Sequence, residues 1–156
     1  MRPIMSVVII LLLVAEVSAI EPVSNIIEQT NAPIQVMSYY SLYRERAKYT
    51  TEGIHHTVEY KNVTDKTIVA VSIGLVSFSV WNEFMDHTNG MAIRDISPGL
   101  PDKGVWIARA YAYFSFLTGF AYVSKVRFSD GIIWEADIRD VLSELVSVHK
   151  DPISDL

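Results

Sequence analysis

The sequence has 156 residues, half of them apolar, with 13 Lys and Arg against 18 Asp and Glu and no cysteine. That is one domain's worth of chain, apolar enough to build a core and too little biased for disorder. The missing cysteines exclude a disulfide scaffold, thiolate metal sites and thiol catalysis, and the net charge of −5 argues against a nucleic-acid partner.

Met1 to Ala19 has the layout of a signal peptide. Arg2 supplies a positive start, Val7 to Val14 an apolar run, and Val17-Ser18-Ala19 the short side chains that signal peptidase reads. Cleavage is expected after Ala19. The apolar stretch from Ile4 to Ala15 spans 12 residues before Glu16, against the roughly 20 needed to cross a bilayer. Stable membrane insertion is therefore not expected once the segment is removed, and the expected location is periplasmic or secreted. The remaining 137 residues (156 − 19) are expected to form a single domain without disulfides.

Residues 20–33 are polar with two prolines and read as an irregular lead-in, so the domain is expected over 34–156. Tyr39-Tyr40-Ser41-Leu42-Tyr43 reads as its first strand in preference to a short helix. In the next, Ile54, His56, Val58 and Tyr60 fall on one side and His55, Thr57, Glu59 and Lys61 on the other, the alternation of a half-buried antiparallel strand. Asn62 to Lys66 is a turn of residues whose side chains bond their own backbone. Its Asn62-Val63-Thr64 is also an N-glycosylation sequon, relevant only in a eukaryotic secretory pathway.

Thr67 to Trp81 is apolar on both faces and predicts the central strand, with a bulge or bend at Gly74. Thr88-Asn89-Gly90 predicts a hairpin turn into a strand at Met91–Ile96. Residues 97–104, with two prolines and two glycines, predict a loop. Val105–Ser115, Phe120–Phe128 and Ile132–Ala136 predict further strands. A three-residue Ser129-Asp130-Gly131 loop would pair Phe128 with Ile132 and Val126 with Trp134, making Trp134 a core residue. Ile138, Val141, Leu142, Leu145 and Val146 then recur at helical spacing behind Asp137, a candidate N-cap, predicting a helix over 138–148. The fold class expected is mainly β: an immunoglobulin-like antiparallel β-sandwich of about seven strands with a short C-terminal α-helix.

Two segments, Glu59 to Ile68 and Phe78-Ser79-Val80-Trp81-Asn82, resemble the FxLYD-type immunoglobulin-like domains of secreted bacterial proteins. In that family a strand ending in Asn leads through a polar turn into a long strand closed by an aromatic-x-aliphatic-aromatic-Asp motif. Trp81 stands here for the tyrosine and Asn82 for the aspartate, and Ser97-Pro98-Gly99 is similar to the Pro-Gly step before the family's final strands. The resemblance covers roughly residues 54–136. It implies a non-enzymatic extracellular module and carries over no functional residue.

Site chemistry is sparse. The chain has no G-x-S-x-G elbow and no phosphate-binding glycine motif, so neither a catalytic residue nor a cofactor is expected. His55 and Glu59 share a strand face and His87 follows Asp86, which makes these three the candidate metal ligands. Adjacent His55 and His56 point to opposite faces, and zinc needs three or four converging ligands, so a solvated polar face is the preferred reading. Tyr39, Tyr43, Arg44, Arg46 and Tyr49 interleave aromatic and cationic side chains and are the candidate binding residues. The function expected is a non-catalytic interaction or accessory module for an unknown protein or surface ligand. The alternative is a small exported ligand-binding protein or enzyme with an aromatic-lined pocket, suggested by the run from Trp106 to Phe120.

Overall fold

The side chains of Ile54, His56, Val58 and Tyr60 are completely buried, while His55, Thr57, Glu59 and Lys61 face outward, so the period-two pattern sets the orientation of this strand. It belongs to a computed structural model that describes residues 21–109 and 112–148; the expected signal peptide lies outside the described residues. Eight strands and one helix follow in order: β1 (Val23–Ile26), β2 (Ile34–Arg44), β3 (Gly53–Asn62), β4 (Ile68–Ser79), β5 (Phe84–Ile96), β6 (Pro101–Ala108), β7 (Phe116–Phe128), β8 (Ile133–Glu135) and α1 (Ile138–Val148). They form two sheets, β2-β3-β6 and β1-β7-β4-β5, with β8 also paired to β7. The fold is mainly β, a two-sheet sandwich with a short C-terminal helix.

The main core lies between the sheets, where Ile34, Val58 and Tyr60 meet Ile68, Val71, Ile73, Leu75, Val123 and Val126. A second core lies on the far side of the larger sheet. There Val141 and Leu145 of α1 cover Val76, Phe78, Phe120 and Tyr122. This explains why β4 is apolar on both faces: one faces the partner sheet, the other the helix. The larger sheet is thus the middle of three layers.

Both open sides of the sandwich are tied. On one, the Ser24 and Ser41 hydroxyls are hydrogen-bonded at 2.8 Å, joining β1 to β2. On the other, Arg94 of β5 donates to Asp102 (2.7 Å) and to the Lys103 carbonyl (2.8 Å), and Trp106 Nε1 donates to the Met91 carbonyl (3.2 Å). β1 and β8 occupy successive stretches of the same edge of β7. Between them the Gln29 amide donates to the Val123 carbonyl (3.0 Å) and accepts from the Val123 N–H (2.7 Å). A side-chain amide there continues the ladder in place of a peptide group.

Several expectations change. Part of the stretch read as an irregular lead-in is strand β1, and it runs parallel to β7, so the sheets are not wholly antiparallel. Thr88-Asn89-Gly90 is not a turn: β5 runs through it, with Asn89 opposite Gly74 and Gly90 opposite Ile73. The turn falls earlier, at residues 80–83, where Asn82 adopts φ 61° and the Ser79 hydroxyl accepts the Trp81 and Glu83 N–H groups. Gly90 answers a packing demand, since the Trp106 ring occupies the space its Cβ would need. The loop after β5 is shorter than expected, with β6 already starting at Pro101. Beyond Ala108 the expected strand gives way to a 3-10 turn at Tyr113–Ser115, entered through Ala112 at φ 57°. The expected bulge at Gly74 is not there: Gly74 pairs regularly with Tyr122 and makes room for its ring. The β4–β7 ladder shifts instead at Ile68/Ala70, where Val69 is the extra residue of β4, and at Ser72/Ile73 and Phe78/Ser79, where the extra residues are on β7.

The last hairpin forms in the expected register, with Val126 opposite Trp134, the Phe128 N–H donating to the Ile132 carbonyl (2.9 Å), and Gly131 at φ 89°. Trp134 packs half-buried against the main core, while Ile132 at the hairpin tip stays exposed.

Candidate functional site

A cluster of buried polar side chains lies between the sheets. The Tyr39 hydroxyl and His56 Nδ1 share a hydrogen bond of 2.8 Å, with the two rings parallel at 6.0 Å and Phe116 edge-on to the imidazole. Gly119 on β7 leaves the room that Tyr39 and Ser41 fill. His56 is completely buried, and its Nε2 meets no hydrogen-bonding group among the described residues. Burial, with a smaller contribution from neighbouring His55, lowers the His56 pKa to about 4, and burial pushes the Tyr39 phenol far above its usual range. The cluster is neutral at ordinary pH and shut off from solvent. Tyr39 is therefore a core residue and leaves the set of candidate binding residues.

The metal candidates do not converge. His55 and Glu59 do share the outer face of β3, but His55 Nε2 bonds the Thr51 carbonyl (2.7 Å). Glu59 pairs with Lys103 (2.9 Å) and accepts from Ser38 (3.3 Å), and these contacts hold its pKa below the usual value. His87 lies on the other sheet, hydrogen-bonded to the Tyr122 hydroxyl at 2.9 Å and lowered in pKa by burial. Among the described residues no group of three His, Cys, Asp or Glu is placed to hold an ion.

A cleft of about 590 Å³ opens between the β1–β2 connection and the start of β2, lined by residues such as Ile26, Gln29, Ile34, Val36 and Met37. It contains no aromatic ring, and the Gln29 amide there is already committed to Val123. Among the described residues, the rings of the Trp106–Phe120 run are dispersed: Phe116 and Phe120 are buried in different cores, Trp106 lies between the sheets, and Tyr113 rests on Tyr43.

The remaining candidates gather at one end of the sandwich, where β2 meets β3, β4 meets β5, and β6 leads to β7. The three connections touch. The Val80 N–H donates to the Ser115 carbonyl (2.8 Å), joining the β4–β5 turn to the 3-10 turn. Tyr43 packs on Tyr113 at 5.6 Å, joining that turn to the β2–β3 hairpin, and its hydroxyl donates to Glu52. From this base three rings stand in solvent: Tyr49 at 89% exposure, Trp81 at 77% and Phe114 at 72%. Lys48 Nζ lies 5.1 Å from the Tyr49 ring centre, and Arg44 at the end of β2 and Arg46 and Arg109 on the connections are exposed nearby in sequence. Of the candidate binding residues, Tyr43, Arg44, Arg46 and Tyr49 belong to this end.

Trp81 and Phe114 were missed as surface residues because each sits near the end of a stretch that reads as strand. The available signal was Trp81-Asn82, since Asn is among the few residues that enter a left-handed turn readily.

No family model and no curated protein matches the chain. The fold is similar to the X-ray structure of a hypothetical protein from Peptoclostridium difficile 630, with a TM-score of 0.52 at 9% identity, covering 78% of this chain and 93% of that one. At that identity the likeness concerns the fold alone.

Proposed function

We propose that the protein is an exported, non-catalytic β-sandwich, periplasmic or secreted, that works by binding through its aromatic end. The observation that carries this reading is the exposure of Tyr49, Trp81 and Phe114 on three touching connections at one end of the fold. Large rings standing in water on a rigid frame are the usual anchors of a recognition surface. The immunoglobulin-like relationship belongs to the same proposal. Two packed sheets support it, while the Trp81 of the resembling motif stands in solvent and not in the core.

The test is binding of the labelled protein to native cell envelopes, comparing wild type with a Trp81→Ala/Phe114→Ala variant. Saturable binding that the variant loses is expected. Equal binding by both proteins would place recognition elsewhere on the molecule and sink this reading.

A further inference from the structure

We propose that this end is a bilayer-docking tip, seating its rings in the headgroup region of a membrane that carries anionic lipids. The inference rests on the reading above and names the partner. Trp and Tyr favour the membrane–water interface because an apolar ring can leave water there while its polar atom stays hydrated. Trp81 and Tyr49 are of this kind, with Phe114 beside them as a purely apolar wedge and Val80 partly exposed at the same turn.

Shape points the same way. The clefts along β1–β2, beside Met91 and Trp106, and between residues 27–31 and α1 all lie away from this end. Rings more than two-thirds exposed on separate turns do not wall a cavity, but they can enter a soft, flat interface.

Charge supplies the complementarity. The connections together with Arg44 at the end of β2 carry Arg44, Arg46, Lys48 and Arg109 against Glu45, Glu52 and Glu83, a balance of 4 − 3 = +1, whereas the whole chain carries −5. One of those carboxylates, Glu52, also takes the Tyr43 hydroxyl. The excess positive charge therefore sits with the exposed rings, so an anionic surface attracts this end and repels the remainder.

Co-sedimentation with vesicles of phosphatidylcholine, alone or mixed in equal parts with phosphatidylglycerol, tests the proposal. Wild type and variants share the same N-terminus, so their difference isolates the tip. Binding is expected on the mixed vesicles, weaker on phosphatidylcholine alone and weaker as salt rises. Trp81→Ala/Phe114→Ala should weaken it by roughly tenfold or more, while Trp81→Phe retains most of it. Because both side chains are largely exposed, the variants should melt like wild type. Brominated lipid should quench the part of the tryptophan emission that Trp81→Phe removes. No binding to the mixed vesicles, or binding that the double variant keeps, overturns the inference. Envelope binding that needs the tip without any vesicle binding would overturn the membrane partner and leave the binding-module reading standing. Loss of tip dependence in both assays would overturn both.

Discussion

The indole of Trp106 lies against Gly90 so closely that a Cβ at position 90 would overlap its fused ring. Trp106 belongs to the smaller sheet and Gly90 to the larger, and the indole N–H donates to the carbonyl of Met91 next door. Gly104, on the tryptophan's own strand, leaves room for the same ring. The ring is thus a plug between β5 and β6, and both glycines are there to admit it.

Gly90→Ala should therefore destabilise the fold by overpacking, by roughly 1–3 kcal/mol. Urea denaturation measures it. Trp106→Leu in the same background should recover part of the loss, because it removes the ring that the methyl group meets. A neutral Gly90→Ala would mean that the ring has an alternative place to sit.

His56 should make the protein sensitive to acid. Burial lowers its pKa from the ordinary 6.5 to about 4, and its bonded partner on Nδ1 is a neutral phenol. Between those values the unfolded chain binds more protons than the folded one, so stability rises with pH. The contribution is complete above about pH 6.5, is lost as pH falls toward 4, and levels off below that. A shift of this size corresponds to up to about 3 kcal/mol. His87, also lowered by burial, acts in the same direction. Denaturant midpoints at a series of pH values should show the slope, and His56→Phe should flatten most of it. An unchanged slope in that variant would assign the sensitivity to other groups.

How far the sequence could be read depended on whether the deciding interaction was local. The alternation from Ile54 to Lys61 orients β3, and the Ser129–Gly131 loop sets its hairpin register, because both depend on neighbours a few residues apart. The spacing behind Asp137 gives α1 at its observed bounds. Asn89-Gly90 misled because the glycine is required by Trp106, sixteen residues further along and on another strand. The short β1 was hidden for the same reason: its partner, β7, lies some 90 residues away. At the candidate site the sequence marked the cationic hairpin but not its neighbours. Tyr39 and Tyr49 look alike in a tyrosine-rich stretch, yet one is in the core and the other is 89% exposed. Only the pairing of β2 with β3 separates them.

Asn62 is the next test, because its sequon is a structural device. Its side chain is completely buried, with Nδ2 donating to the carbonyls of Lys66 (2.8 Å) and Ile96 (2.9 Å). Its Oδ1 accepts from the N–H and hydroxyl of Thr64 at 2.9 and 2.8 Å. The amide nitrogen that a glycan would occupy is thus already used inside the fold. Asn62→Ala should destabilise by roughly 1–3 kcal/mol or more, since carbonyls facing the interior lose their donor. Mass spectrometry of folded protein secreted from a glycosylating host should find Asn62 unmodified. A glycan there on a protein with native melting behaviour would contradict the arrangement.

Helix α1 decides whether the middle layer survives alone. The Asp137 carboxylate accepts the Arg139 N–H (2.9 Å) at the helix start, and Arg139 holds its pKa down to about 2. Val141 and Leu145 are buried against Val76, Phe78, Phe120 and Tyr122, whereas Ile138 and Val146 are nearly half-exposed at the edges of the stripe. An eleven-residue helix is marginal in isolation, so its order comes from this packing. Leu145→Ala should cost about 2–5 kcal/mol through the cavity left beneath it. Truncation after Ala136 should lower the melting temperature further and raise binding of a hydrophobic dye, because the outer rings of β4 and β7 then face water. If the truncated protein melted like wild type, the helix would not be holding this face, and the three-layer arrangement would be wrong.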